Sequence, residues 1–147
     1  MIEIVENNPI FYDELFMIED SALMQSDKMS KASFMAEFDE KSRKYFVAKD
    51  GSTPIGYIGL FDCVDSMEII SFAVKKECQN KGIGTKLLQK ATQFATLNKK
   101  DALCLEVNSN NLNAIKFYKK NGFETLSTRK NYYKDADALV MQKNLQI

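Results

Sequence analysis

The sequence predicts one mixed α/β (α+β) domain, residues 1–147, built on a mostly antiparallel sheet, and three features predict it. Residues 45–74 hold three apolar runs of strand length separated by breaker-rich turns, the pattern of an antiparallel meander. Ile83, Leu87, Leu88, Ala91, Phe94 and Ala95 recur at helical spacing, so 83–97 is an amphipathic helix. Leu103–Val107 is an apolar run of strand length, followed by polar residues able to cap a second helix. A chain of 147 residues buries a sizeable core without metals or disulfides.

Ile2–Val5 alternates apolar and acidic residues, as a half-buried strand does. Pro9 to about Phe38 is helical in character, with Phe11, Leu15 and Ile18 on one face and Phe34, Met35 and Phe38 on another. The stretch 26–30 divides it into two helices. Tyr45–Lys49 and Gly56–Phe61 read as strands joined by the turn D-G-S-T-P, and D-C-V-D-S leads into the strand Met67–Val74. After the helix 83–97 and the strand Leu103–Val107, Asn108–Asn111 caps a helix over Leu112–Lys120. Gly122 suits the left-handed position that ends it. Phe123–Thr128 and Ala138–Lys143 close the sheet. The count is seven strands and about four helices, with helices on both faces.

Composition excludes several chemistries. There is no histidine, so His-dependent nucleophilic catalysis and His-ligated metal sites are unavailable, and no metal is expected. Cys63, Cys78 and Cys104 lack CxxC spacing and suit a reducing compartment. Twenty basic and twenty acidic residues leave no surplus for phosphate neutralisation, so nucleic acid is not an expected partner. The N-terminus carries acids where a signal peptide would carry lysines, and no apolar run approaches a membrane span. A cytoplasmic protein without a membrane partner, monomeric or homodimeric, is the expectation.

Q-N-K-G-I-G, Gln79 to Gly84, follows a strand and opens a helix. Amides at a helix N-terminus are unpaired and sit at the positive end of the dipole, so they attract phosphate oxygens. Gly82 and Gly84 let main chain approach an anion closely, and Lys81 and Lys86 add positive charge. Taken alone, the same residues also read as a glycine-rich turn with a cap. The stretch 67–88, M-E-I-I-S-F-A-V-K-K-E-C-Q-N-K-G-I-G-T-K-L-L, resembles the acetyl-CoA-binding core of the GNAT superfamily. Gln79, Gly82 and Gly84 occupy the fixed positions of that family's Q/R-x-x-G-x-G/A loop. The resemblance implies the GNAT fold, with the strands at 68–74 and 103–107 splayed to admit a pantetheine arm. It also implies that main chain of Phe72, Ala73 and Val74 binds that arm and the thioester. The pyrophosphate falls to the amides of Asn80, Lys81, Gly82, Ile83, Gly84 and Thr85.

Residues 103–123, L-C-L-E-V-N-S-N-N-L-N-A-I-K-F-Y-K-K-N-G-F, resemble a segment of ribosomal-protein-alanine N-acetyltransferases, the RimI-like family, as do R-K-N-Y-Y and D-A-L-V-M further on. The similarity spans roughly residues 45 to 143. The N-terminal third lacks the tryptophan common there, Asn108 stands for arginine and Asn110 for serine. The resemblance implies Glu106 as general base, Tyr118 as general acid and Asn111 as a cofactor contact. Read from chemistry alone, Glu106 in an apolar strand is costly unless paired with a lysine or functional. Tyr118 is either a proton donor to a departing thiolate or a packed tyrosine with its hydroxyl satisfied elsewhere. Glu68, at the start of the strand before the phosphate loop, is the rival base.

Acceptor chemistry follows from proton affinities. Deprotonating an α-amine at pH 7 costs about 1.4 kcal/mol, a lysine about 4.6. A carboxylate base therefore serves a protein N-terminus more readily. The reading is direct transfer from acetyl-CoA to an amine, foremost the N-terminal α-amine of a protein such as a ribosomal protein. A small amine or an internal lysine is the alternative acceptor, and a non-catalytic acetyl-CoA-binding module is the alternative of another class.

Overall fold

The computed structural model of the chain describes residues 1–18, Ser33, Ala36 and residues 40–145. Seven strands form one sheet: β1 (Ile2–Glu6), β2 (Arg43–Asp50), β3 (Thr53–Asp62), β4 (Ser66–Val74), β5 (Ala102–Asn108), β6 (Glu124–Tyr133) and β7 (Ala136–Asn144). Their spatial order is β1-β2-β3-β4-β5-β7-β6. All neighbours are antiparallel except β4 and β5. The helices among the described residues are α1 (Tyr12–Ile18), α2 (Ile83–Leu97) and α3 (Leu112–Lys120). The architecture is thus the expected mixed, mostly antiparallel seven-stranded sheet. The expected helical face of Phe34, Met35 and Phe38, like the break at 26–30, lies outside the described residues.

Helices cover both faces, and each contributes a core. On one side Ile83, Leu87, Leu88, Ala91 and Ala95 of α2 and Ala114, Ile115 and Tyr118 of α3 pack against Phe46, Ile58, Ile69, Phe72, Leu103 and Leu105. On the other, Tyr12, Leu15 and Ile18 of α1 pack against Tyr45, Val47, Tyr57 and Ala73. Central strands covered on both faces should be apolar throughout, and Pro54–Leu60 and Tyr45–Ala48 are buried without a break.

The ends of the elements differ from the sequence reading where partners extend them. D-G-S-T-P is a turn only at Gly51 and Ser52; Thr53 and Pro54 already belong to β3, paired with Asp50 and Lys49. Pro54 is tolerated there because it sits at the strand's beginning, beside a register shift at Ala48/Lys49. β6 runs from Glu124 to Tyr133 rather than from Phe123 to Thr128, since β7 offers it a partner along most of that length. Both helices downstream keep their expected limits: Asn111 accepts the amide of Ala114 at 3.2 Å, and Gly122 takes φ 94° after α3.

The strand pair β4–β5 positions the site. It holds over three pairs only, Ser66–Ala102, Met67–Leu103 and Glu68–Cys104. Past Glu68 the register with β3 jumps, Leu60 facing Ile69 and Gly59 facing Ser71, so Ile70 is an extra residue in β4. Such a bulge bends its strand, and here it bends β4 where its partner is lost. From that point β4 continues on β3 alone to Val74.

Gly59, beside the bulge, is required by contact: a Cβ there would collide with the ring of Tyr45, itself 1% exposed. Gly59→Ala is therefore expected to lower stability by about 1–3 kcal/mol in urea denaturation. A change within a few tenths would show that the Tyr45 ring moves freely.

Candidate active site

Four segments meet around the parting. β4 supplies Phe72, Ala73 and Val74, whose side chains are buried. In an antiparallel ladder alternate residues turn their amide and carbonyl away from the partner strand. Part of the main chain of Phe72–Val74 therefore faces the edge that β5 has left. The Val74 carbonyl is one such group, accepting the Gln79 side-chain amide at 2.9 Å. Gln79 thus ties the loop to the end of β4.

The loop itself alternates handedness. Asn80 has φ 63° and Gly82 φ 81°, both left-handed. Gly82 is the N-cap of α2 and no side chain caps the helix there. The helical bond Lys86 N to Gly82 O, 3.1 Å, is in place, while the amides of Ile83, Gly84 and Thr85 precede the first residue that can donate along the helix. Nothing lies within 4 Å of a Cβ built on Gly82, so glycine is needed for its φ and not for space. Lys81 and Lys86 are exposed beside these amides. The result is an open, positively polarised cradle, the kind that holds phosphate oxygens.

Strand alternation divides the remaining residues between the faces. Leu103, Leu105 and Val107 of β5 belong to the core under α2 and α3; Cys104 and Glu106 point to the opposite side. Tyr118, on α3, belongs to the first face. Its ring packs on Phe72, Phe117 and Phe123 at centroid distances of 6.4, 5.5 and 5.6 Å. The residue is 0% exposed, and its hydroxyl has no hydrogen-bond partner among the described residues. Burial pushes the phenol's pKa above its ordinary value. A packed tyrosine with its hydroxyl satisfied elsewhere is thus not what is found. Leaving such a group unpaired costs about 1–3 kcal/mol. An orphan hydroxyl next to Phe72, at the parting, fits a polar ligand threaded between the strands.

Glu106 is paired, and with an arginine rather than a lysine. Arg129 of β6 donates from Nη1 to its Oε1 at 2.8 Å. The side chain of Glu106 is 21% exposed. Glu68 is half-buried in β4, and burial first, then the charge of Glu106, raises its pKa; Arg129 opposes this. Tyr133 is also raised, by burial and then by Tyr132 and Glu106. Glu68, Glu106, Arg129 and Tyr133 therefore form one electrostatic group. Arg129 opens the R-K-N-Y-Y motif, but no local signal assigns it a carboxylate 23 residues away. Asn111 spends a side-chain bond on capping α3. Ser71 Oγ donates to Tyr57 Oη at 3.1 Å beside the bulge.

The open helix start of α2 thus lies at one end of the parted strand pair, with the Tyr118 phenol buried on one face and Glu106 on the other. Residues 9–123 match the family model described as Acetyltransferase (GNAT) family, and the chain belongs to that family as an N-acetyltransferase. It is RimI-like within it. A Bacillus subtilis protein provisionally named a ribosomal protein bS18-alanine N-acetyltransferase is 32% identical over 133 residues, covering 88% of this chain and 86% of that one. The solved ribosomal-protein-S18-alanine N-acetyltransferase of Escherichia coli superposes with a TM-score of 0.88 at 22% identity, over 100% of this chain and 96% of that one. An N-acetyltransferase of Thermoplasma acidophilum, solved in complex with coenzyme A, gives a TM-score of 0.85 at 23% identity over 98% and 99%.

The orphan hydroxyl has a measurable consequence for the protein without ligand. Tyr118→Phe is expected to leave stability unchanged or raise it by about 1 kcal/mol in urea titration, since it removes an unpaired polar group. A loss above that size would show that the hydroxyl has a partner in the resting protein.

Proposed function

We propose that this enzyme transfers the acetyl group of acetyl-CoA directly to the N-terminal α-amine of a protein, such as a ribosomal protein. The observation that carries the reading is the placement of Glu106 and Tyr118 on opposite faces of the one place where the sheet opens. The likeness to a relative named for ribosomal protein alanine supports the choice of acceptor.

Acetyl-CoA, when bound, supplies the activated acetyl group and a thiolate leaving group. The amides of Asn80, Lys81, Gly82, Ile83, Gly84 and Thr85 would hold its pyrophosphate, and Gln79 keeps that loop fixed on β4. Main chain of Phe72, Ala73 and Val74 would hold the pantetheine arm as a strand partner, with an amide near Val74 steadying the oxyanion. Asn111 would complete the contacts from the α3 side. Glu106 takes the proton of the attacking amine on the Glu68 face. Tyr118 gives its proton to the departing sulfur as the carbon–sulfur bond breaks. Burial keeps that proton on the phenol until a partner reaches the hydroxyl. Glu68 stands on the same face as Glu106 and is the alternative acceptor of the amine proton.

Incubation with acetyl-CoA and a panel of N-terminal peptides, lysine peptides and small amines tests the acceptor. Fastest acetylation is expected on N-terminal peptides; activity confined to small amines would replace this acceptor. Tyr118→Phe and Glu106→Gln are each expected to lower kcat by about tenfold or more, with acetyl-CoA affinity nearly unchanged. Wild-type turnover in either variant would remove that residue from the mechanism.

A further inference from the structure

Among the described residues, Glu68, Glu106 and Arg129 lie together on the face opposite α3, and the arginine is not shared equally. Arg129 donates to Glu106 Oε1 at 2.8 Å, while Glu68 has no hydrogen bond or ion pair among the described residues. The same guanidinium lies 5.3 Å from the ring centroid of Tyr132, within cation–π range. Tyr132 in turn meets Tyr133 edge-on at 5.1 Å. Arg129 reaches β5 over the intervening strand: it is paired with Ala138 of β7, and Ala138 is paired with Asn108 of β5. Cross-strand partners share a face, so Arg129, Ala138 and Asn108 lie in one row with Glu106 two residues along. The small side chain of Ala138 leaves the path clear.

We propose that Arg129 is a positioning residue for the acetyl transfer, holding the Glu106 carboxylate in one orientation with its second oxygen left for the amine. The inference rests on Glu106 being the base. With Oε1 engaged by the guanidinium, Oε2 remains to accept a proton. Without Arg129 the Glu106 carboxylate would lose the one hydrogen bond among the described residues that fixes its orientation.

The test is kcat and KM, measured separately, for Arg129→Met and Arg129→Lys beside the native enzyme. Arg129→Met should lower kcat about tenfold, the size expected when a base is no longer held in position, with KM for the acceptor near native. Arg129→Lys should recover most of the loss. Acetyl-CoA affinity and thermal midpoint should stay near native values in both variants. A loss in KM alone, or native kcat in Arg129→Met, would overturn the proposal. Native activity in Glu106→Gln, by contrast, would sink the assignment of the base itself.

Discussion

Two adjacent parallel strands that stay together for only three pairs set the terms for everything else in this molecule. β4 and β5 are joined at Ser66–Glu68 and Ala102–Cys104 and then diverge where Ile70 bulges out of β4. A sheet normally satisfies its own amides and carbonyls, so opening it leaves main-chain groups in need of another partner. The opening survives because both faces are held apart by well-packed neighbours: Phe72 rests on the aromatic cluster of Phe117 and Tyr118, and Gly59 and Tyr45 lock β3 beneath the bulge. Once parted, the strands expose an extended edge on β4 and the flank of β5, and a ligand that behaves as a strand can lie there.

The two faces of the opening have opposite electrical character. On the α3 side the surroundings are aromatic and closed, and the Tyr118 hydroxyl has no partner among the described residues. On the other side lie the carboxylates of Glu68 and Glu106 and the guanidinium of Arg129, in partial contact with solvent. Under the proposed mechanism this separation puts the two proton transfers on opposite sides of the reacting bond.

In the proposed reading, phosphate recognition falls to main chain. Asn80 and Gly82 both adopt left-handed conformations, and alternation of this kind turns successive amides the same way. The one prominent side-chain bond of the loop, Gln79 to Val74, is spent on geometry. Charge from Lys81 and Lys86 stays outside, where it can attract an anion without filling its place.

What the chain determines locally was legible in its letters. The limits of α2 and α3 follow from apolar period and from caps a few residues away, and Gly122 follows from the handedness the helix end requires. The Gln79–Gly84 loop, and Glu106 and Tyr118 as candidates, could be named from the sequence for the same reason, since each is a residue type within a short pattern. Only the tertiary structure decided who faces whom. The meander could be counted, but the bulge at Ile70 and the short β4–β5 pairing depend on register between strands. The orphan state of the Tyr118 hydroxyl depends on every neighbour that closes over it. Arg129 reaches Glu106 across β7 because the residue of β7 in that row is a small alanine. A one-dimensional pattern records each residue's own preferences, whereas these contacts exist only once distant strands have chosen their order.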